Sequence, residues 1–119
     1  MDEPSRPARD LGVALLLAGL LTCAWTVQGW ASLSALRLPD TDDVVRLQQI
    51  RDWLGGQGFG DLAQHRLGSP PGLEMHWSRL PDLVPGALIF LLSPLLGTHA
   101  AELVAVTLWP ALLFAAALA

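Results

Sequence analysis

The 119 residues include one cysteine, no lysine and no tyrosine, and only 15% of positions carry a charge. The lone Cys23 sits in an apolar run with no disulfide partner and no metal-ligating neighbour, so it reads as a small packing residue. Without lysine, the turn Gly55-Gly56-Gln57-Gly58-Phe59-Gly60 lacks the Gly-Lys-Ser/Thr ending of a phosphate loop, and it precedes no clear helix. It reads as a flexible turn. No His-x-x-x-His or cysteine-pair spacing supports a zinc site, which leaves His65 and His99 incidental. A net charge of −4 repels phosphate backbones and argues against a nucleic-acid partner. Scarce charge, with 52% hydrophobic residues and a mean hydropathy of +0.44, argues against a soluble enzyme and for a membrane protein.

The expected fold is all-α: a polytopic membrane protein with about three transmembrane helices and one large external loop containing an amphipathic helix. A polar tail, 1–10, leads into a first span, 11–33. Within 11–31 the only ionisable group is the Cys23 thiol and the only strongly polar side chain is Gln28, over more than the ~20 residues a spanning helix needs. Arg6 and Arg9 ahead of that run also suit a cleaved signal peptide, but the run exceeds a usual signal core. Thr22 stands where a lipoprotein site at Cys23 would have Gly or Ala. Residues 34–82 form the water-facing loop, 83–97 a second span and 103–119 a third, with a tight turn at Gly97-Thr98-His99. Pro85, Pro94 and Pro110 would kink these helices, which is tolerated where neighbouring helices satisfy the freed carbonyls, so other transmembrane helices are expected partners alongside membrane lipid. Small residues such as Gly12 and Gly19 would allow close helix approach. The third span reaches Ala119 without a polar flank, and the chain is expected to be truncated there.

Within the loop, Asp40-Thr41-Asp42-Asp43 is the densest concentration of acid. Asp40 can cap a helix over 42–54, with Pro39 ahead of it and Gly55-Gly56 as its stop. At about 100° per residue, Asp42, Arg46, Gln49 and Trp53 form one stripe and Asp43, Leu47, Ile50 and Leu54 the next. The second stripe faces the membrane surface or other helices, leaving Asp42 beside Arg46 on an adjacent face. The plain alternative is macrodipole stabilisation by the acids and an ordinary i,i+4 pair. Farther on, a Pro-Pro-Gly turn leads into Met75-His76-Trp77-Ser78-Arg79. His76, Trp77 and Arg79 suit a sugar or phosphate ligand, the indole offering a flat apolar face and the guanidinium a forked donor. Trp and Arg are also ordinary headgroup-level anchors.

The order of these features, a first span, an acidic motif opening a helix (Asp42-Asp43-Val44-Val45-Arg46), then a Pro-Gly turn and an aromatic-basic segment before the next span, resembles the N-terminal part of GT-C-class integral-membrane glycosyltransferases, especially the oligosaccharyltransferase catalytic-subunit type. In that class an aspartate of the first external loop binds a divalent metal or acts in catalysis, and an arginine follows it. Asp42 and Asp43 are the matching acids and Arg46 the matching arginine, while the family's tyrosines have no counterpart here. The resemblance implies a polyprenyl-phosphate-linked sugar donor, a loop facing the periplasm or exterior, and residence in a bacterial inner (plasma) membrane. By charge alone, five arginines in the loop against two in the tail favour a cytoplasmic loop. The resemblance further implies Asp42 and Asp43 as catalytic groups, Asp42 with Asp40 as ligands of Mg²⁺ or Mn²⁺, and Arg46, His76, Trp77 and Arg79 as donor contacts. The full class has more spans and further carboxylates, so this chain alone is expected to be inactive. The competing expectation is a small non-enzymatic membrane subunit or assembly protein.

Overall fold

Two long apolar stretches become the two long helices. A computed structural model describes residues 6–118; residues 1–5 of the expected polar tail and Ala119, the expected point of truncation, lie outside that range. Helix α1 is Arg6–Gln28, interrupted at Gly29 and continued for one turn as α2, Trp30–Leu33. The chain then reverses through Leu36, whose φ of 53° places a non-glycine residue in the left-handed region. The Arg37 amide bonds the Ser32 carbonyl at 2.9 Å, and the Leu36 side chain packs on the core, which holds the turn despite its backbone cost.

Helix α3 is Thr41–Leu54. Asp40 Oδ1 accepts the Asp42 amide at 2.9 Å, closing its N-terminus. Gly55 and then Gly56, at φ 115°, end it. The segment that follows has more order than a flexible loop: β1, Ala63–Gln64, pairs antiparallel with β2, Leu73–Glu74, in the register Ala63 to Glu74 and Gln64 to Leu73. This small ladder is an addition to the expected all-α fold. A 3₁₀ turn, Leu80–Asp82, leads into α4, Leu83–Leu96, and after Gly97 the chain enters α5, Thr98–Leu118.

The core lies where α3 packs on the α4–α5 hairpin, with Leu47 and Ile50 meeting Ile89, Ala101 and Ala105. Gly86 is needed there because a Cβ at that position would sit 2.5 Å from Cζ3 of Trp53. Helix α1 packs along α5 and buries Ala14 and Ala18, small residues that let the backbones approach. Gly12 and Gly19, expected to do this, belong instead to the outward face, where a Cβ at either position would meet nothing within 4 Å.

Pro7–Gln28 and Thr98–Leu118 are long and apolar enough to cross a membrane, with mean hydropathies of 1.8 and 1.9. Only 11% and 22% of their apolar windows are buried, far less than in the core helix of a soluble domain. Helix α4 has fourteen residues, about 21 Å at ~1.5 Å per residue. The end of α1–α2 lies beside the start of α5, where His99 Nε2 is 2.8 Å from the Ser34 carbonyl oxygen.

Candidate functional site

Residues 43, 46, 47 and 50 recur at helical spacing, so one face of α3 carries a carboxylate and a guanidinium next to two core side chains. This face closes one side of a groove of about 380 Å³ between α1, α4 and α5. Leu21 and Trp25 of α1, Ile89 of α4, and Trp109 and Phe114 of α5 line it, and its only charged lining residues are Asp43 and Arg46.

The two charges have different surroundings. Burial, together with the negative charges of Asp40 and Asp42, pushes the Asp43 carboxyl above the ordinary aspartate value, and Arg46 only partly offsets this. Arg46 Nη1 donates to Asp82 Oδ1 at 2.7 Å, and the Asp82 side chain is 1% exposed. The Arg46 guanidinium carbon also lies 5.1 Å from the centroid of the Trp77 ring, a cation–π arrangement. Trp77 is itself fixed by donating Nε1 to Gln49 Oε1 at 2.6 Å. The arginine is therefore held directly by Asp82 and Trp77, with Gln49 of its own helix fixing the indole.

The expected site residues separate into those at the groove and those used elsewhere. Asp43 and Arg46 line it. Asp42 is exposed and outside the lining, and Arg46 pairs with Asp82 instead of with it. Asp40 is occupied as the α3 cap. Trp77 supports Arg46 with the ring face expected to meet a sugar, while exposed His76 leans against Trp77 with ring centroids 5.1 Å apart. Arg79, expected on a phosphate, is 2% exposed. Its guanidinium donates to Gln57 Oε1 at 2.7 Å and to the Gln49 and Asp61 carbonyls, so it pins the loop onto α3.

No three His, Cys, Asp or Glu side chains are placed to hold a metal ion among the described residues. Asp40 caps the helix and Asp42 lies outside the groove lining, so neither of the expected Mg²⁺ or Mn²⁺ ligands borders the groove. A second, polar hollow beside Arg51, Asp52 and Arg66 is internally paired: Arg66 reaches Asp52 at 2.9 Å, and Arg51 binds Glu102 through two bonds of 2.7 and 2.6 Å. Burial works against the Asp52 charge, but bonds from Arg66, Gln48 and Gln64 hold its carboxyl below the ordinary value.

Sequence reasoning missed Asp82, Trp25 and Trp109 as site residues. An acid directly before an apolar helix needs a partner, which was the available signal for Asp82. That Trp25 of α1 and Trp109 of α5 line one groove shows only once the helices are packed. Comparison of the chain with known protein families, characterised proteins and solved structures gives no match.

Proposed function

We propose that the chain is the donor-binding portion of a GT-C-class membrane glycosyltransferase that takes a polyprenyl-phosphate-linked sugar. The observation that carries this reading is the groove: an apolar slot beside two long apolar helices, with one carboxylate and one guanidinium as its only charges. An amphiphile with a long hydrocarbon tail and an anionic head is complementary to that arrangement. The prenyl chain would lie along Trp25, Trp109 and Phe114, and Arg46 would meet the phosphate.

Asp43 is the better base than Asp42 because it borders the groove and its raised carboxyl pKa strengthens its hold on a proton. In the transfer, Asp43 takes the proton of an acceptor hydroxyl. The acceptor oxygen bonds to the anomeric carbon, the bond from that carbon to the phosphate oxygen breaks, and polyprenyl phosphate leaves with its charge beside Arg46. The chain by itself is read as binding donor without turning it over. The α3 side faces the periplasm or exterior of a bacterial inner membrane in this proposal, an orientation drawn from the family resemblance.

The exposed apolar faces of α1 and α5 favour the rival reading of a non-enzymatic membrane subunit, and one experiment separates the two. In lipid nanodiscs, native mass spectrometry should find polyprenyl phosphate retained at least about tenfold better than the matching polyprenol, the least expected of a charge-assisted bond worth ~1.5–3 kcal/mol. Substituting Arg46→Gln together with Asp82→Asn, which leaves no buried charge unpaired, should abolish the preference. Equal retention of phosphate and alcohol by the unaltered chain would remove the donor reading and favour the subunit.

A further inference from the structure

The apolar length of α4 suggests a span, but its connections do not. Helix α1 and its one-turn continuation end at Leu33, and His99, the second residue of α5, lies 2.8 Å from the Ser34 carbonyl oxygen. One turn later, Glu102 of α5 takes both bonds from Arg51 of α3. The chain therefore enters α5 on the side where it left α1. A single crossing between those points would bring it to the opposite side, so an even number of crossings is required and only α4 is available to make one.

The start of α4 is tied to the same layer. Asp82, immediately before it, is 1% exposed and accepts Arg46 of α3 at 2.7 Å. Gly86, one turn in, packs so closely on Trp53 of α3 that a Cβ would overlap the ring. Both ends of the helix are thus held by α3 and by the junction of α1 with α5. Even with the 3₁₀ turn ahead of it, the apolar helix Leu80–Leu96 is about 25 Å long and falls short of the ~30 Å hydrocarbon core.

The outer face of α4 is nevertheless unsuited to water. Phe90, Leu91 and Leu95 are 68%, 65% and 80% exposed, and no charged residue occurs from Leu83 to Leu96. Helix α5, against which α4 packs, likewise exposes large apolar side chains, among them Leu112 and Leu113. We propose that α4 does not cross the membrane and instead docks into one leaflet, on the α3 side, of the bilayer that α1 and α5 cross, with Phe90, Leu91 and Leu95 against lipid acyl chains. The occupant is lipid hydrocarbon because the face offers neither charge nor hydrogen-bonding side chains to a headgroup or polar partner. This inference concerns α4 alone and does not depend on the donor reading.

Two measurements on the full chain in membranes test it. Side-specific reporters fused by flexible linkers at the two ends should report the same side, because two crossings separate them. Reporters on opposite sides would overturn the proposal by showing an odd number of crossings. In a Cys23→Ala background, fluorophores on Phe90→Cys and Leu95→Cys should be quenched by spin-labelled lipid and not by an aqueous quencher. Quenching from the water phase, or shielding from lipid by a second copy or another subunit, would overturn the lipid as occupant. Neither surface substitution touches the core, and either labelled site suffices.

Discussion

Glu102 is the most exacting charge to accommodate, and its dependence on Arg51 yields an asymmetric prediction. The Glu102 side chain is 5% exposed, whereas that of Arg51 is 41% exposed. Arg51→Met leaves a nearly buried carboxylate without its partner. Breaking a buried pair from one side costs about 3–5 kcal/mol, and the lower end applies here because water reaches the arginine side of the pair. Glu102→Gln leaves a guanidinium that solvent can hydrate, and its cost should be near the net value of a lost hydrogen bond, about 1 kcal/mol. The ~2 kcal/mol difference between the variants corresponds to roughly 30-fold in the unfolding equilibrium. Unfolding in detergent micelles, followed by tryptophan fluorescence, measures it, since Trp53 packs against α4 and Trp77 bonds Gln49 of α3. The Arg51→Met/Glu102→Gln double variant should be more stable than Arg51→Met alone. Equal losses in the two single variants, or a larger loss for Glu102→Gln, would refute the assignment of Glu102 as the dependent partner.

Gly86→Ala should destabilise the α3–α4 contact by about 1 kcal/mol, the difference between an overpacking cost of ~1–3 kcal/mol and the better helix propensity of alanine. The same change should become stabilising when Trp53 is also replaced by Ala, and thermal unfolding of the two pairs checks the change of sign. Dicyclohexylcarbodiimide, which enters apolar sites and modifies protonated carboxyls, should label Asp43 ahead of Asp42 because Asp43 borders the groove and its pKa is raised. Labelling should increase as pH falls, and mass-spectrometric peptide mapping reads the ratio. Asp52 has a lowered carboxyl pKa, so its ionised form stabilises the fold above the ordinary value near 3.8 and that stabilisation is lost as pH falls through the lower folded value. Asp52→Asn should therefore cost stability at pH 7 and progressively less at still lower pH, as measured by unfolding midpoints across the acid range.

What could be read from the sequence was local. The Asp40 cap joins atoms only two residues apart, and the burial of Leu47 and Ile50, with exposed Asp43 at the groove edge on the same face, follows from helical spacing. Even there the stripe ends early, because Leu54 is 37% exposed where α3 runs past the core. Residue chemistry also indicated that Arg46 lies beside an acid, but i,i+4 spacing pointed to Asp42, whereas the partner is Asp82, thirty-six residues away. The burial of Arg79 was equally hidden, since its partners are two backbone carbonyls and the Gln57 side chain, brought together by a loop with no periodicity. Hydropathy recorded the apolar length of 83–97 but carries no information on what holds the two ends of that helix. The groove was the least legible feature, because it is made by four helices and has no motif of its own.

The central claim is that the groove between α1, α3, α4 and α5 holds the hydrocarbon tail of a polyprenyl phosphate, with its head at Arg46. The most direct measurement is photocrosslinking with a polyprenyl phosphate that carries a diazirine in its first isoprene units, followed by peptide mapping of the full chain in nanodiscs. The account predicts adducts concentrated on Trp25, Trp109 and Phe114, and their loss when unlabelled polyprenyl phosphate is added in excess. Adducts spread over outward residues such as Leu16, Leu20 and Phe90, with no competition by the unlabelled lipid, would contradict it.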